Sequence, residues 1–211
     1  MKLLRSLFIV LLLLAISSQS CKKSKSSVIE GEQSPMGVVG TTVQVSTGNV
    51  AGVSNITGSV TELEDGISTF TASATITNSR IKTLLANFPE FTISGNNVSI
   101  SELKFKITDQ GYQAVNVLDP GVLVNYNSNV GDTYPIAGTN SSRTVVSKST
   151  VDDYSWGYMD IKVSVVEENP NKLGVKKIKY IANHRWGLVA IVITFDDNTE
   201  LNFGLFSSTN N

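Results

Sequence analysis

The side chains that most often carry catalysis are scarce in this 211-residue chain, which has one histidine, His184, and one cysteine, Cys21. A transition-metal site needs several histidine or cysteine ligands, and a Cys-His nucleophile or a CxxC redox centre needs suitably placed thiols. Neither a Gly-x-Ser-x-Gly elbow nor a phosphate-binding glycine motif occurs. A Ser-His-Asp triad stays formally open, but a histidine beside Arg185 and Trp186 in a turn is more typical of a surface position. We therefore expect no catalytic residue, no metal and no cofactor.

Three pairs of adjacent carboxylates are the next candidates: Asp152-Asp153, Glu167-Glu168 and Asp196-Asp197. A calcium loop needs alternating Asp or Asn ligands followed by a distal glutamate, and glycosidase carboxylates face each other across a substrate. None of the three pairs has either arrangement, and each falls in a predicted turn. They are interpreted as solvated turn acids.

Aromatic side chains form the one constellation that favours binding. Tyr154, Trp156 and Tyr158 occupy alternate positions, and Trp186 follows in a later turn. Alternation places the first three on one side of an extended segment. Rings that carry a polar atom line sugar and apolar-ligand pockets, but they also fill the open end of a small β-sheet core. Both interpretations stay open, and these four residues are the tentative ligand site.

The N-terminus has the form of a secretory signal peptide. Lys2 and Arg5 precede an unbroken apolar run over residues 7–16, and a short polar stretch leads to Ser20 and Cys21. A bilayer-spanning helix needs about 20 apolar residues, so this run is too short to span. The small Ser20 marks the predicted cleavage site, directly before the only cysteine.

In these residues the chain resembles bacterial lipoprotein precursors, whose cysteine at this position is acylated and becomes the new N-terminus. The resemblance covers residues 1–21 and implies a palmitate-bearing lipid anchor at Cys21. Such an anchor would hold the exported protein in the cell envelope, at the outer membrane with a periplasmic or surface-exposed domain. The alternative is ordinary signal cleavage that leaves a lone thiol, a liability in an oxidising compartment.

Composition divides the rest of the chain into two parts. Residues 21–40 contain Lys22, Lys23 and Lys25 among serines and glycines, with few large apolar side chains, which predicts a flexible tether. Residues 41–211 have the length of one β-rich globular domain, or of two halves that divide near residue 120. The formal net charge of −1 provides no strong field for nucleic acid.

Strand patterns dominate from residue 41 onward. Apolar and polar side chains alternate over residues 70–76 and 103–107 with the period of two expected for strands. Gly95-Asn96-Asn97 predicts a hairpin turn, and a change of parity predicts a bulge near Ser101-Glu102. Residues 176–206 read as a three-stranded meander. Its middle strand, 188–195, is apolar on both faces and is therefore expected to be central.

One helix interrupts the strands. Apolar side chains recur there at helical spacing: Ile81, Leu84, Leu85 and Phe88. With Asn78 or Ser79 as the cap and Pro89 as the end, this stripe predicts an amphipathic helix over about residues 79–88. The predicted fold class is mainly β: a curved antiparallel sheet, arranged as a half-barrel or a sandwich, with this one short amphipathic helix.

A second resemblance involves the later strands. Val130-Gly131-Asp132-Thr133, then several strands, then Gly187-Leu188-Val189 leading into a strand and an acidic turn, look like uncharacterised periplasmic lipoproteins. Those proteins are built on a curved antiparallel half-barrel similar to lipoprotein-carrier folds. The resemblance spans about residues 122–206 and implies a concave apolar face that the helix at 79–88 partly covers.

These observations leave three functional classes. The first is a lipid-anchored, non-enzymatic envelope protein that binds a glycan, a lipid or another envelope protein, and it is the leading hypothesis. The second is a structural or assembly lipoprotein, and the third is a hydrolase. Membrane contact is expected through the N-terminal lipid, and no nucleic-acid partner is expected.

Overall fold

The computed structural model describes residues 28–46, 50–116, 119–170 and 174–209, and within them it confirms a mainly β fold with a single α-helix. The predicted signal peptide, the lipidation site at Cys21 and the first part of the predicted tether lie outside the described residues.

The strands and the helix follow in chain order: β1 Thr42–Ser46, β2 Val53–Glu64, β3 Ile67–Ile76, α1 Ser79–Leu85, β4 Thr92–Ser94, β5 Asn97–Thr108, β6 Gly111–Ala114, β7 Gly121–Asn125, β8 Thr133–Pro135, β9 Ser142–Lys148, β10 Tyr154–Trp156, β11 Met159–Ile161, β12 Ser164–Glu168, β13 Val175–Asn183, β14 Gly187–Phe195 and β15 Glu200–Ser208. A short 3-10 helix, Pro35–Gly37, precedes them. None of the helices in the described part of the chain has the length and apolarity needed to cross a bilayer.

Thirteen strands form one antiparallel sheet with the spatial order β7-β6-β5-β3-β2-β1-β15-β14-β13-β12-β9-β8, and β4 pairs with β5 at its side. The sheet curls until its two edges meet. The amide of Ala137 donates to the Pro120 carbonyl at 3.1 Å, and the Asn125 amide donates to the Tyr134 hydroxyl at 3.4 Å. The result is a nearly closed, barrel-like sheet. Pairing of β1 with β15 joins the strands before residue 120 to those after it.

Local sequence rules account for much of this sheet. β4 and β5 form the predicted hairpin, with Gly95 at a φ of 62° in the turn. Phe70 pairs with Leu103 while Ala72 pairs with Ile100, so β5 has one residue more than β3 between these two pairs. This extra residue is the predicted bulge at Ser101-Glu102, and it keeps both halves of β5 facing the same side of the sheet.

The predicted meander is also confirmed, as β13, β14 and β15. Strand β14 carries apolar side chains on both faces, and each face packs against a different hydrophobic cluster. One face, with Leu188 and Ile191, packs in the main core. The other face, with Val189 and Val192, packs under a separate hairpin formed by β10 and β11.

Helix α1 begins as predicted but ends three residues early. The Asn78 side chain accepts a hydrogen bond from the Ile81 amide at 3.2 Å and caps the first turn. After Leu85 the backbone changes to bonds of shorter span, such as the Phe88 amide to the Leu85 carbonyl at 3.0 Å. The segment before Pro89 is therefore a series of turns, and Phe88 lies outside the helix.

The chain before β1 is packed rather than free over its described part. Ile29 and Met36, both within the predicted tether at 21–40, are 1% and 7% exposed and belong to the main core. The Ile29 amide donates to the Gln113 side chain at 3.0 Å, and Gln33 forms a bridge with Thr108 of β5. Burial of these two apolar side chains offsets the entropy of ordering the segment. Any free tether must therefore end before about residue 28.

Candidate functional site

The interior of the curled sheet is not completely filled by side chains. A first cavity of about 230 Å³ lies between β2, β3, β5 and the strands β14 and β15. Its walls are almost entirely aliphatic and aromatic, and the residues that line it include Ile56, Ala72, Leu103 and Ile193. Apolar cavities of this kind stay dry and bind apolar molecules.

Two further cavities extend the first one in different directions. A second cavity of about 200 Å³ shares Ile56, Ala72 and Leu103 with it and reaches towards β1 and β6. A third cavity of about 110 Å³ shares Leu84, Leu85, Phe91 and Ile193 with the first and reaches towards β12 and β13. We refer to the three together as the lumen. Binding sites for small molecules typically measure about 300–1,000 Å³, a range that the first cavity reaches only together with a neighbour.

Many large apolar side chains of the lumen are only partly buried, including Ile56, Leu84, Leu85, Phe91, Leu103, Phe105, Leu188, Ile191, Ile193, Leu201, Phe203 and Leu205. A core packed to the usual density would bury them. Contiguous exposed apolar surface in a folded protein commonly marks a ligand-binding groove or an interaction site. The lumen therefore has the properties of a site for an elongated apolar molecule.

Helix α1 forms one end wall of the lumen. Ile81 packs in the core, and Leu84 and Leu85 line both the first and the third cavities. On the solvent side Arg80 donates to Asp197 of the β14–β15 turn at 2.9 Å, and its guanidinium lies 3.6 Å from the ring centre of Phe195. The hydrogen bond from Arg80 lowers the pKa of Asp197 below its usual range. These contacts fix the first turn of α1 against the end of β14.

A buried ion pair lies beside the third cavity. Arg143 of β9 and Glu168 of β12 face each other across the two strands, with 2.7 Å between Nε and Oε2 and exposures of 0% and 1% for their side chains. The guanidinium also donates to the carbonyls of Val122 at 3.2 Å and Asp119 at 2.6 Å, and so ties β9 to the opposite edge of the sheet. The Tyr180 hydroxyl donates to Glu168 Oε2 at 3.1 Å. This network links β9, near one edge of the sheet, to β7 at the other edge, and so closes the seam between the two edges.

The interpretation of Glu167-Glu168 as solvated turn acids is wrong for Glu168. The pair lies in β12, where residues 164, 166 and 168 are buried on alternate positions. Burial raises the pKa of the Glu168 carboxyl, and the Arg143 guanidinium offsets part of this increase. Glu167 points the other way and lies 3.1 Å from the Lys177 ammonium.

The four aromatic residues singled out in the sequence are only partly brought together. The Trp156 ring stacks on Phe206 at 5.2 Å between ring centres and lies 5.3 Å from the Trp186 ring. Its indole N–H donates to the Leu205 carbonyl at 2.9 Å. Tyr154 is half-buried against the same cluster.

Tyr158 lies apart from this cluster because β10 and β11 are two strands of a hairpin rather than one extended segment. Gly157 takes a φ of 61° in the turn, and Tyr158 follows it fully exposed. The expected alternation therefore ends at Trp156. A surface cleft of about 210 Å³ does adjoin Trp156, lined by Tyr154, Phe206, Ser46 and Asn202 among others, and it lies on the outer face of the sheet, away from the lumen.

The remaining candidate side chains lie at the surface. His184 is exposed in the turn between β13 and β14, as are Asp152-Asp153 and Asp196-Asp197 in their loops. Among the described residues no group of three His, Cys, Asp or Glu side chains is close enough to hold a metal ion.

The resemblance implied a concave apolar face partly covered by the helix, but the sequence identified none of the residues that line the lumen, and it missed the Arg143–Glu168 pair. One signal for Glu168 was available, because it follows Val166 at the strand period of two and so shares its face. Arg143 likewise shares the face of the buried Val145, but nothing local in the sequence identifies its partner, which is 25 residues away.

Comparison with known proteins returned no match to a family model, to a curated protein or to a solved structure.

Proposed function

We propose that this protein is a lipid-anchored, non-enzymatic protein of the bacterial cell envelope that binds an elongated apolar ligand, such as a lipid chain, in its lumen. The single observation that carries the proposal is the lumen itself: three adjoining apolar cavities lined by large, partly exposed side chains. The anchor is proposed to be the acylated Cys21, which would keep the binding domain next to a membrane that supplies such ligands.

The lumen supports an apolar ligand better than a glycan. Sugars require several hydrogen-bonding groups beside aromatic rings, whereas the walls of all three lumen cavities expose very few polar atoms. The cleft beside Trp156 has more polar neighbours, including Ser46 and Asn202, and is where a glycan would bind if the protein takes one. The Trp156 ring is already stacked on Phe206, and its N–H is bonded to a carbonyl, so little of this ring is available to a ligand.

The test is binding of the neutral fluorophore N-phenyl-1-naphthylamine to the full chain carrying Cys21→Ser. In this variant no acyl chain of the protein itself competes for the lumen. We expect saturable binding with enhanced fluorescence. Ala72→Phe, which places a ring between the first and second cavities, should weaken binding about tenfold or more.

Ala51→Phe is the matched control, because it adds the same ring to an exposed turn. Thermal melts of both variants establish that they are folded. Absence of binding to the parent chain, or equal binding by a folded Ala72→Phe variant, would refute a lumen site.

The two other functional classes lead to different experimental results. A structural or assembly lipoprotein should purify with stoichiometric envelope partners and show no saturable uptake of the fluorophore. A hydrolase centred on His184 should lose an activity when His184 is replaced by Ala.

A further inference from the structure

The third cavity adjoins a buried polar cluster, although its own walls are almost entirely apolar. Glu168 and Tyr180 line it together with Leu84, Phe91 and Ile193. Glu168 Oε2 accepts hydrogen bonds from Arg143 Nε at 2.7 Å and from the Tyr180 hydroxyl at 3.1 Å. Its second oxygen, Oε1, is fully buried and has no hydrogen-bond partner among the described residues.

An unpaired buried carboxylate oxygen is unusual, because nearly all buried polar atoms in native proteins have a partner and leaving one unpaired is unfavourable. Glu168 is one of the residues that line the third cavity, and this cavity is the route by which a partner for Oε1 can arrive. The third cavity shares Leu84, Leu85 and Ile193 with the first cavity, so a chain lying in the first cavity can extend its end group towards Glu168.

We infer that Glu168 Oε1 accepts a hydrogen bond from a donor at the end of the apolar ligand, and that the ligand is a long-chain molecule terminating in a hydroxyl group. This inference rests on the proposed function, because it assigns the end group of the ligand in the lumen. Glu168 acts through direct contact with the ligand, whereas Arg143 and Tyr180 position its carboxylate.

The charges around the third cavity argue against an anionic end group. Glu168 is balanced by Arg143, and Asp119, which also lines the cavity, adds a second negative charge close enough to act on Glu168. A fatty-acid carboxylate placed here would be a further negative charge in a region of low dielectric, next to two others. A hydroxyl adds no charge and supplies the donor that Oε1 needs.

The experiment compares 1-dodecanol, dodecyl methyl ether and dodecanoate as competitors of N-phenyl-1-naphthylamine on the full chain carrying Cys21→Ser at pH 8. The alcohol and the ether have the same alkyl chain, and only the alcohol has a hydrogen-bond donor. We expect the alcohol to bind roughly tenfold more tightly than the ether, since the hydrogen bond involves a charged acceptor out of water. Dodecanoate should bind more weakly than the alcohol.

Each outcome has one meaning. Alcohol and ether binding equally, or the ether or dodecanoate binding more tightly, would overturn the assignment to Glu168 while leaving lumen binding in place. No displacement by any of the three compounds would instead count against the proposed function itself.

Glu168→Gln provides a check on the protein side. Its amide oxygen can accept from Arg143 and Tyr180, which leaves an N–H₂ donor towards the cavity. In a folded variant the preference for alcohol over ether should fall below about threefold. Glu167→Gln changes the neighbouring carboxylate, which faces away from the cavity beside Lys177, and should retain the preference, whereas a retained preference in Glu168→Gln would contradict the inference. If Glu168→Gln does not fold, the alcohol and ether pair on the parent chain still decides the matter.

Discussion

Replacing Trp156 with alanine distinguishes a ring that fills the space under the β10–β11 hairpin from a ring that binds a ligand. The Trp156 side chain is 8% exposed, stacks on Phe206, contacts Trp186 and donates to the Leu205 carbonyl. An aromatic side chain buries about 150–250 Å², which at about 25 cal/mol per Å² sets an upper bound of roughly 4–6 kcal/mol. Truncation of buried Trp or Phe to Ala typically costs about 3–5 kcal/mol, and we expect a loss in this range.

The assay is urea unfolding followed by circular dichroism. With an m-value of about 2 kcal/mol/M, a loss of about 4 kcal/mol lowers the midpoint by about 2 M. Tyr158→Ala is the matched control, because it removes a fully exposed ring from the same hairpin and should change stability by less than about 0.5 kcal/mol. A loss below about 1 kcal/mol in Trp156→Ala, together with weaker binding to a glycan array, would refute the packing role and favour the cleft as a binding site.

Three further predictions concern other parts of the chain. Arg143→Met should lower stability by about 3–5 kcal/mol in a denaturant melt, because it leaves the buried Glu168 charge without its partner; a change below about 1 kcal/mol would mean that the pair does not close the seam. Cys21→Ser should abolish incorporation of radiolabelled palmitate and release the protein from membranes, and label that persists in the variant would contradict lipid anchoring at this residue. Addition of EDTA should leave the thermal midpoint unchanged, whereas a drop that calcium reverses would show that the surface carboxylates had been misinterpreted.

Features decided by near neighbours in the chain could be predicted from the sequence. The period of two at Phe70, Ala72 and Ala74, the hairpin at Gly95 and the parity change near Ser101 all depend on residues close together, and the structure has each of them. The two-sided apolar character of residues 188–195 correctly indicated a central strand. It did not show that one of the covering elements would be a hairpin containing Trp156.

Features that depend on distant contacts could not be predicted in the same way. Ile29 and Met36 stand in a stretch without a strand or helix period, and only their burial in the core shows that this stretch is packed. Glu168 stands beside Glu167 and just before a loop, so its local sequence resembles an exposed turn. The lumen is made by side chains from many strands, and its volume depends on how far the sheet curls, which no local pattern specifies.

The most direct test of the central claim, that the lumen holds an apolar ligand, is a crystal structure of the protein grown with 12-bromo-1-dodecanol. Bromine gives an anomalous signal that locates one end of the ligand's alkyl chain without ambiguity. We expect a peak within the first or second cavity, surrounded by residues such as Ile56 and Leu103, with the hydroxyl end next to Glu168. Bromine found only in the cleft beside Trp156 or on the outer surface, with the lumen walls closed together, would contradict the proposal.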